Sequence, residues 1–110
     1  MSNKLSVRNP RTGANDYEIV VTTAEEIAAL TQRMRTAQIH WREQDLAYRI
    51  SILEKLKSSI ANHRTELINA LTADTGRLYI SVAEVDGIAN AIDRWIAVAR
   101  ADKAPETKNS

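Results

Sequence analysis

Apolar residues recur through most of this chain at steps of three and four, and only near its start at steps of two. Steps of two put alternate side chains on opposite faces of a strand, whereas steps of three and four line one face of a helix. Leu5-Ser6-Val7 and Tyr17-Glu18-Ile19-Val20-Val21 are short segments rich in strand formers. In the second, Tyr17, Ile19 and Val21 share one face and Glu18 and Val20 the other. Pro10, Gly13, Asn15 and Asp16 lie between the two segments, and this density of turn formers predicts a hairpin with a loop longer than the minimum. A two-stranded hairpin is marginal in water, so this one needs something to pack or pair against.

Helical patterning begins at Thr23-Ala24-Glu25-Glu26, a capping box in which the Thr23 hydroxyl takes the Glu26 amide and the Glu26 carboxylate reaches back. A stripe at Ile27, Leu30, Met34, Ala37 and Trp41 follows, ending in a polar connector at Arg42-Glu43-Gln44. Asp45 caps a second helix striped by Leu46, Ile50, Leu53, Leu56 and Ile60, with Lys55, Lys57 and Ser58 facing away. Asn62-His63-Arg64 interrupts the pattern, because Asn favours caps and turns over helix interiors. A third helix carries Leu67, Ile68 and Leu71 and stops at Gly76, a natural residue for leaving a helix. The last helix is expected from about Ser81 to about Arg100, with Val85, Ile88, Ile92, Trp95 and Ala99 on one face. Ala89, Ala91 and Ile96 widen that face, and a helix so broadly apolar expects contacts on more than one side. Gly87 weakens the helix by about 1 kcal/mol relative to Ala, or serves close approach of another backbone. The expected fold is therefore mainly α with an N-terminal β-hairpin: residues 1–4 as a flexible start, residues 5–100 as hairpin plus helices, and residues 101–110 as a polar, disordered tail.

Composition narrows the chemistry. The 110 residues fit one domain at most, with Ile, Leu, Val and Ala left to build a core because Phe is absent and aromatics are few. Fifteen basic and 14 acidic residues give a net charge of +1, which supplies no electrostatic reason for nucleic acid or an anionic membrane as partner. With no cysteine there is no disulfide, no thiolate zinc site and no thiol nucleophile among these residues. The first residues lack the apolar stretch of a secretory signal, and no apolar run reaches membrane-spanning length, so a cytoplasmic location is expected.

Candidate functional side chains mostly have plainer explanations. His40 and His63 have no second ligand at metal-binding spacing and sit at expected helix ends, where imidazole meets the last carbonyls. Glu25 and Glu26 belong to a cap, and Glu84 with Asp86 falls near the start of the last helix, where the dipole favours acids. Arg33, Arg35, Arg42, Arg49, Lys55 and Lys57 are interleaved with Glu43, Asp45 and Glu54 and read as a solvated face. Trp41 and Trp95 lie on apolar stripes and read as core or interface. Three scattered glycines exclude a phosphate-cradling loop of the usual spacing.

The order of motifs carries more than any one of them. Asn9-Pro10-Arg11-Thr12-Gly13, a strand, Thr23-Ala24-Glu25-Glu26-Ile27 and a helix ending in Trp41 resemble the opening of the aldehyde dehydrogenase superfamily. Tyr48-Arg49-Ile50-Ser51-Ile52-Leu53, Ile60, Arg64-Thr65-Glu66-Leu67, the Asp74-Thr75-Gly76-Arg77 turn and Ala83-Glu84-Val85 continue that resemblance through about Ala99. It implies the N-terminal helical part of an α/β fold, without its Rossmann sheet or catalytic domain. It also implies a full-length enzyme that oxidises aldehydes to carboxylic acids with NAD or NADP through a cysteine thiolate. The family's catalytic and cofactor groups lie downstream of the matched segment, so no catalytic or cofactor-binding residue carries over and no cofactor is expected on this chain alone. The family's monovalent cation site carries over in part, to the backbone carbonyls of Val7 and Arg8 and to Asp74, for which termination of a helix is the plainer role.

Two readings follow. The chain is a truncated or fragmentary aldehyde dehydrogenase, inactive alone, whose partner is the remainder of such an enzyme. Alternatively it is a free-standing helical module that self-associates through its apolar faces. A helix-turn-helix on DNA finds no support, because no helix is clearly basic.

Overall fold

A computed structural model describes residues 3–102 of the chain, and the expected polar tail from residue 103 lies outside them. Its elements run β1 (Lys4–Arg8), β2 (Asn15–Val20), α1 (Ala24–Glu43), α2 (Leu46–Asn62), α3 (Arg64–Thr75) and α4 (Leu78–Ala101). The expected hairpin followed by four helices is what the chain forms. Strands β1 and β2 pair antiparallel with Leu5 opposite Ile19 and Val7 opposite Tyr17. Arg8 then faces Asn15, leaving Asp16 as the extra residue of a bulge.

Helices α1 and α2 start where local chemistry says they should. The Thr23 Oγ1 accepts from the Glu26 amide at 3.2 Å while the Glu26 carboxylate accepts from the Thr23 amide at 2.8 Å. Asp45 caps α2 by accepting from the Tyr48 amide at 2.7 Å. Boundaries are less local. Arg42 and Glu43 are the last turn of α1, not a connector, and Arg64 opens α3 instead of interrupting it. The break between α2 and α3 is the residue His63 alone, whose amide is shared between the Ser59 and Ile60 carbonyls at 3.1 and 3.2 Å. Helix α4 starts at Leu78, three residues before the expected Ser81. Arg77 has no side-chain cap to offer there, so the sequence carries no start signal.

The core is small and sits where α4 lies across α2 and α3. Ile50, Ile92 and Ile96 form its centre, with Leu53 and Ile60 packed against them. Ile68 and Val85 are buried beside it. Ser81 is fully buried and satisfied, its hydroxyl donating to the Arg77 carbonyl at 2.6 Å. Trp95, read from its stripe as core or interface, is 63 % exposed and so lies outside the core of this chain, where Ile96 is buried. Both lie within a turn of Ile92, so helical spacing admits either, and the position of α2 and α3 selects between them.

Helix α1 buries no residue, and its stripe residues Ile27, Leu30 and Met34 remain exposed. The radius of gyration is 19.5 Å, against about 13 Å for a compact domain of this length. The accessible surface is 9336 Å², against about 6,100 Å² for a compact protein of this mass. Secondary structure is complete here, whereas burial of its apolar faces is not.

Candidate functional site: a junction between two turns

The two turn motifs that stand out in the sequence meet in the fold. In the first, Asn9 organises the loop: its side-chain oxygen accepts from the Arg11 amide at 2.9 Å and its carbonyl from the Gly13 amide at 2.9 Å. Gly13 takes a φ of 75°, a region that costs a side chain dearly, and the chain then returns so that the Asn9 amide reaches the Ala14 carbonyl at 2.8 Å. In the second, Gly76 ends α3 at a φ of 70°, its amide bonded to the Thr72 carbonyl at 2.7 Å. The Thr75 hydroxyl donates to the Leu71 carbonyl at 2.7 Å and accepts from the Arg77 amide at 3.3 Å.

Two contacts lock the turns together. A Cβ placed on Gly76 would lie 3.3 Å from Pro10 Cγ and 3.5 Å from Arg11 Cγ, so the hairpin loop rests on the backbone of the second turn. Beside it, the Tyr17 hydroxyl donates to both oxygens of Asp74, at 3.1 and 3.3 Å. The bond to Asp74 raises the Tyr17 pKa above its ordinary value, with burial adding to the same direction. Asp74 belongs to the last turn of α3, where a carboxylate faces the negative end of the helix dipole. The hydroxyl proton offsets that disadvantage.

Asp74 and the two carbonyl-bearing residues of the cation expectation thus flank one junction. Val7 pairs with Tyr17 across the ladder, Arg8 follows at the bulge, and Tyr17 reaches Asp74. A carboxylate that accepts one hydroxyl keeps further lone pairs free for another donor. Among the described residues no group of three or more His, Cys, Asp or Glu gathers, which is the arrangement a transition metal would require.

Elsewhere the side chains have structural duties. His63 Nδ1 lies 2.7 Å from the Ser59 carbonyl at the end of α2, as its position suggested. Asp86 is not explained by the helix dipole, because α4 starts two turns before it. Its carboxylate takes a two-pronged bond from Arg64, at 2.6 Å to Nε and 2.9 Å to Nη2. That guanidinium holds the Asp86 pKa below its ordinary value. Lys57, expected to face solvent, donates to Asp93 at 2.7 Å, and this bond raises its pKa. The two ion pairs pin α2 and α3 to α4 on either side of a groove of about 150 Å³ floored by Ile60, Ala61, Val85 and Ala89. Each cation at the rim already has its acid, so the groove offers apolar contact and no reactive group. Trp41 is half-buried at the elbow between α1 and α2, where it lines a second hollow with His40 and Tyr48. None of these pairs shows in local spacing, since their partners lie 22 to 57 residues apart and meet only through packing.

Among the described residues no helix is long and apolar enough to cross a membrane. The sequence model described as the aldehyde dehydrogenase family matches residues 1–110. A protein of Mycolicibacterium smegmatis, provisionally named as a succinate-semialdehyde dehydrogenase [NADP(+)], is 34% identical over 82 residues, which are 73% of this chain and 16% of that protein. A solved structure from Anabaena variabilis, PutA, provisionally described as an aldehyde dehydrogenase, superposes with a TM-score of 0.85 at 40% identity. That match covers 90% of this chain and 21% of the other, so the chain spans about a fifth or less of each relative. With hairpin, turn junction and four helices all falling within the matched region, this chain belongs to the aldehyde dehydrogenase family.

Proposed function

We propose that this chain is the N-terminal scaffold segment of an enzyme that oxidises aldehydes to carboxylic acids with NAD or NADP, and that the segment alone does not turn over aldehyde. The observation that carries the reading is the match of 73% and 90% of this chain to about a fifth or less of its relatives, with no cysteine to attack a carbonyl. In such an enzyme nicotinamide supplies the hydride acceptor. The residues of this chain do none of the bond-making. They set the hairpin against the end of α3 through Tyr17 and Asp74, and they hold α4 across α2 and α3 with its remaining faces open to the rest of the polypeptide.

Purified chain, mixed with an aldehyde and either nicotinamide dinucleotide, is expected to produce no reduced cofactor above a protein-free control. Sustained turnover would sink the proposal of inactivity. The alternative is a free-standing module that self-associates through the same exposed helix faces. Light scattering that found a defined small oligomer, together with one cooperative melt, would favour that module. The expected location of the enzyme is the cytoplasm, and no nucleic acid or membrane partner is invoked.

The same reading assigns Asp74, with the carbonyls of Val7 and Arg8, as part of a monovalent cation site completed by downstream residues. Sodium chloride, compared with tetramethylammonium chloride at equal ionic strength, is expected to shift the backbone resonances of Val7, Arg8 and Asp74. Identical shifts in the two salts would remove the assignment.

A further inference from the structure

We propose that Asp86-Gly87, inside α4, is a latent site of isoaspartate formation, held shut by the helix and by the two-pronged bond from Arg64. Of the three glycines, Gly13 and Gly76 follow threonine, and Gly87 alone follows an acid. That order sets a side-chain carboxyl beside the least hindered backbone nitrogen a chain can offer, because glycine has no Cβ to shield it. A Cβ built at Gly87 meets nothing within 4 Å, so no neighbouring element shields it either. The Asp86 side chain is half exposed, and water reaches it.

The chemistry needs only water. The Gly87 nitrogen attacks Asp86 Cγ, a C–N bond forms, and the carboxyl hydroxyl leaves with the amide proton as water. The product is a cyclic succinimide joining the two residues. Water then opens the ring. Attack at Cγ restores Asp86, whereas attack at the Asp86 main-chain carbonyl breaks the original peptide bond and routes the backbone through the side chain. The net change is an isomerisation, with no oxidant and no change of mass. It lengthens the backbone by a methylene between Val85 and Ile92, both buried, so Ile92 and Ile96 no longer meet Ile50 in helical register.

Folded α4 opposes the first step through its own geometry. The Gly87 amide points along the helix axis to the carbonyl four residues earlier, that of Ala83. The Cα–Cβ bond of Asp86 tilts toward the helix N-terminus, away from the nitrogen of the next residue. Arg64 of α3 adds a restraint from outside the helix, holding Asp86 Oδ1 at 2.6 Å from Nε and Oδ2 at 2.9 Å from Nη2. The same guanidinium favours the charged carboxylate, which has no hydroxyl to lose. Lys57 of α2 borders the same groove, but its ammonium is bonded to Asp93. Against these restraints stands Gly87 itself, which weakens the helix interior beside the reactive bond. Local opening of α4 therefore exposes the Asp-Gly pair, and the contact between α3 and α4 governs how often that happens.

The test ages the chain for several weeks in neutral buffer at constant temperature. An isoaspartate methyltransferase labels the freed α-carboxylate, and peptide mapping places it. Arg64→Gln removes the fork, and Arg64→Lys keeps the charge without the fork. Lys57→Gln removes the other bond onto α4 and leaves Arg64 in place, while Gly87→Ala hinders the nucleophile. Arg64→Gln is expected to raise the rate at Asp86 about threefold, with Arg64→Lys between it and the unsubstituted chain. Lys57→Gln is expected to change the rate less than Arg64→Gln does, and Gly87→Ala to suppress the product throughout. In urea that unfolds the chain, the unsubstituted, Arg64 and Lys57 versions are expected to converge on a common faster rate. An unfolded chain that forms no isoaspartate at Asp86 overturns the proposal, as does an undiminished signal in Gly87→Ala. So does a helical Arg64→Gln chain that ages like the unsubstituted one, or a Lys57→Gln chain that accelerates as much, since general loosening would then be the cause. If Arg64→Gln does not fold, Arg64→Lys decides, and a rate equal to that of the unsubstituted chain overturns the role of the fork.

Discussion

The hydroxyl of Tyr17, on the second strand, lies 3.1 and 3.3 Å from the two carboxylate oxygens of Asp74, 57 residues further along. This pair, with Pro10 and Arg11 resting on Gly76, is how a hairpin too small to stand alone finds its support. Tyr17→Phe keeps the ring and removes the donor. Faster amide exchange through β1 and β2 is expected, with α2 and α4 unaffected, and unchanged strand protection would show that the loop contact suffices alone. The pH dependence has a definite sign. Tyr17 has a folded pKa above its ordinary value of 10.0, so its contribution is complete below that value and is lost as pH rises through the folded pKa.

Two glycines separate conformational need from mere presence. Gly76→Ala forces a side chain into a left-handed backbone and against Pro10, and is expected to cost about 1–2 kcal/mol. Gly87→Ala enters open space in a helix and is expected to stabilise the isolated chain by about 1 kcal/mol. Urea unfolding of both variants measures the two effects, and their opposite signs are the prediction.

The Arg64–Asp86 pair should appear in acid unfolding. Asp86 has a folded pKa below its ordinary value of 3.8, so its contribution is present above that value and fades as pH falls through the folded pKa. Asp86→Asn is expected to flatten this part of the acid transition, seen by circular dichroism against pH. An unaltered acid limb would mean that the bond is open in solution.

Neighbouring positions on α4 are expected to respond very differently. Ile92 is 1 % exposed, and Ile92→Ala should cost about 2–5 kcal/mol, enough to unfold so small a core. Trp95→Ala removes a larger side chain that is 63 % exposed and should change the stability of the isolated chain little. Comparable losses for the two would contradict the packing of α4 on α2 and α3.

The cap of α1 can be tested by itself, because that helix buries nothing. Thr23→Ala is expected to cost about 1 kcal/mol of local helix stability, read from amide exchange at Glu25, Glu26 and Ile27. Exchange unchanged at those amides would show that the capping box is frayed in water.

Much of this protein was written in short-range chemistry. Thr23 with Glu26, Asp45 with Tyr48, and Gly76 in its left-handed turn each act within four residues, so the sequence alone determined the hairpin, the four helices and two of the four helix starts. The ordered motifs from Asn9 to Val85 also determined the family. The tertiary structure decided that Ile96 and not Trp95 enters the core, because helical spacing admits both and only a neighbouring helix chooses. It decided that Lys57 and Asp86 are ion-pair partners and not surface or dipole charges, since Asp93 and Arg64 reach them across helix boundaries. It also decided that the turns at Asn9 and Asp74 are two sides of one junction: a hydrogen bond spanning 57 residues depends on how elements pack, and no local pattern encodes that packing.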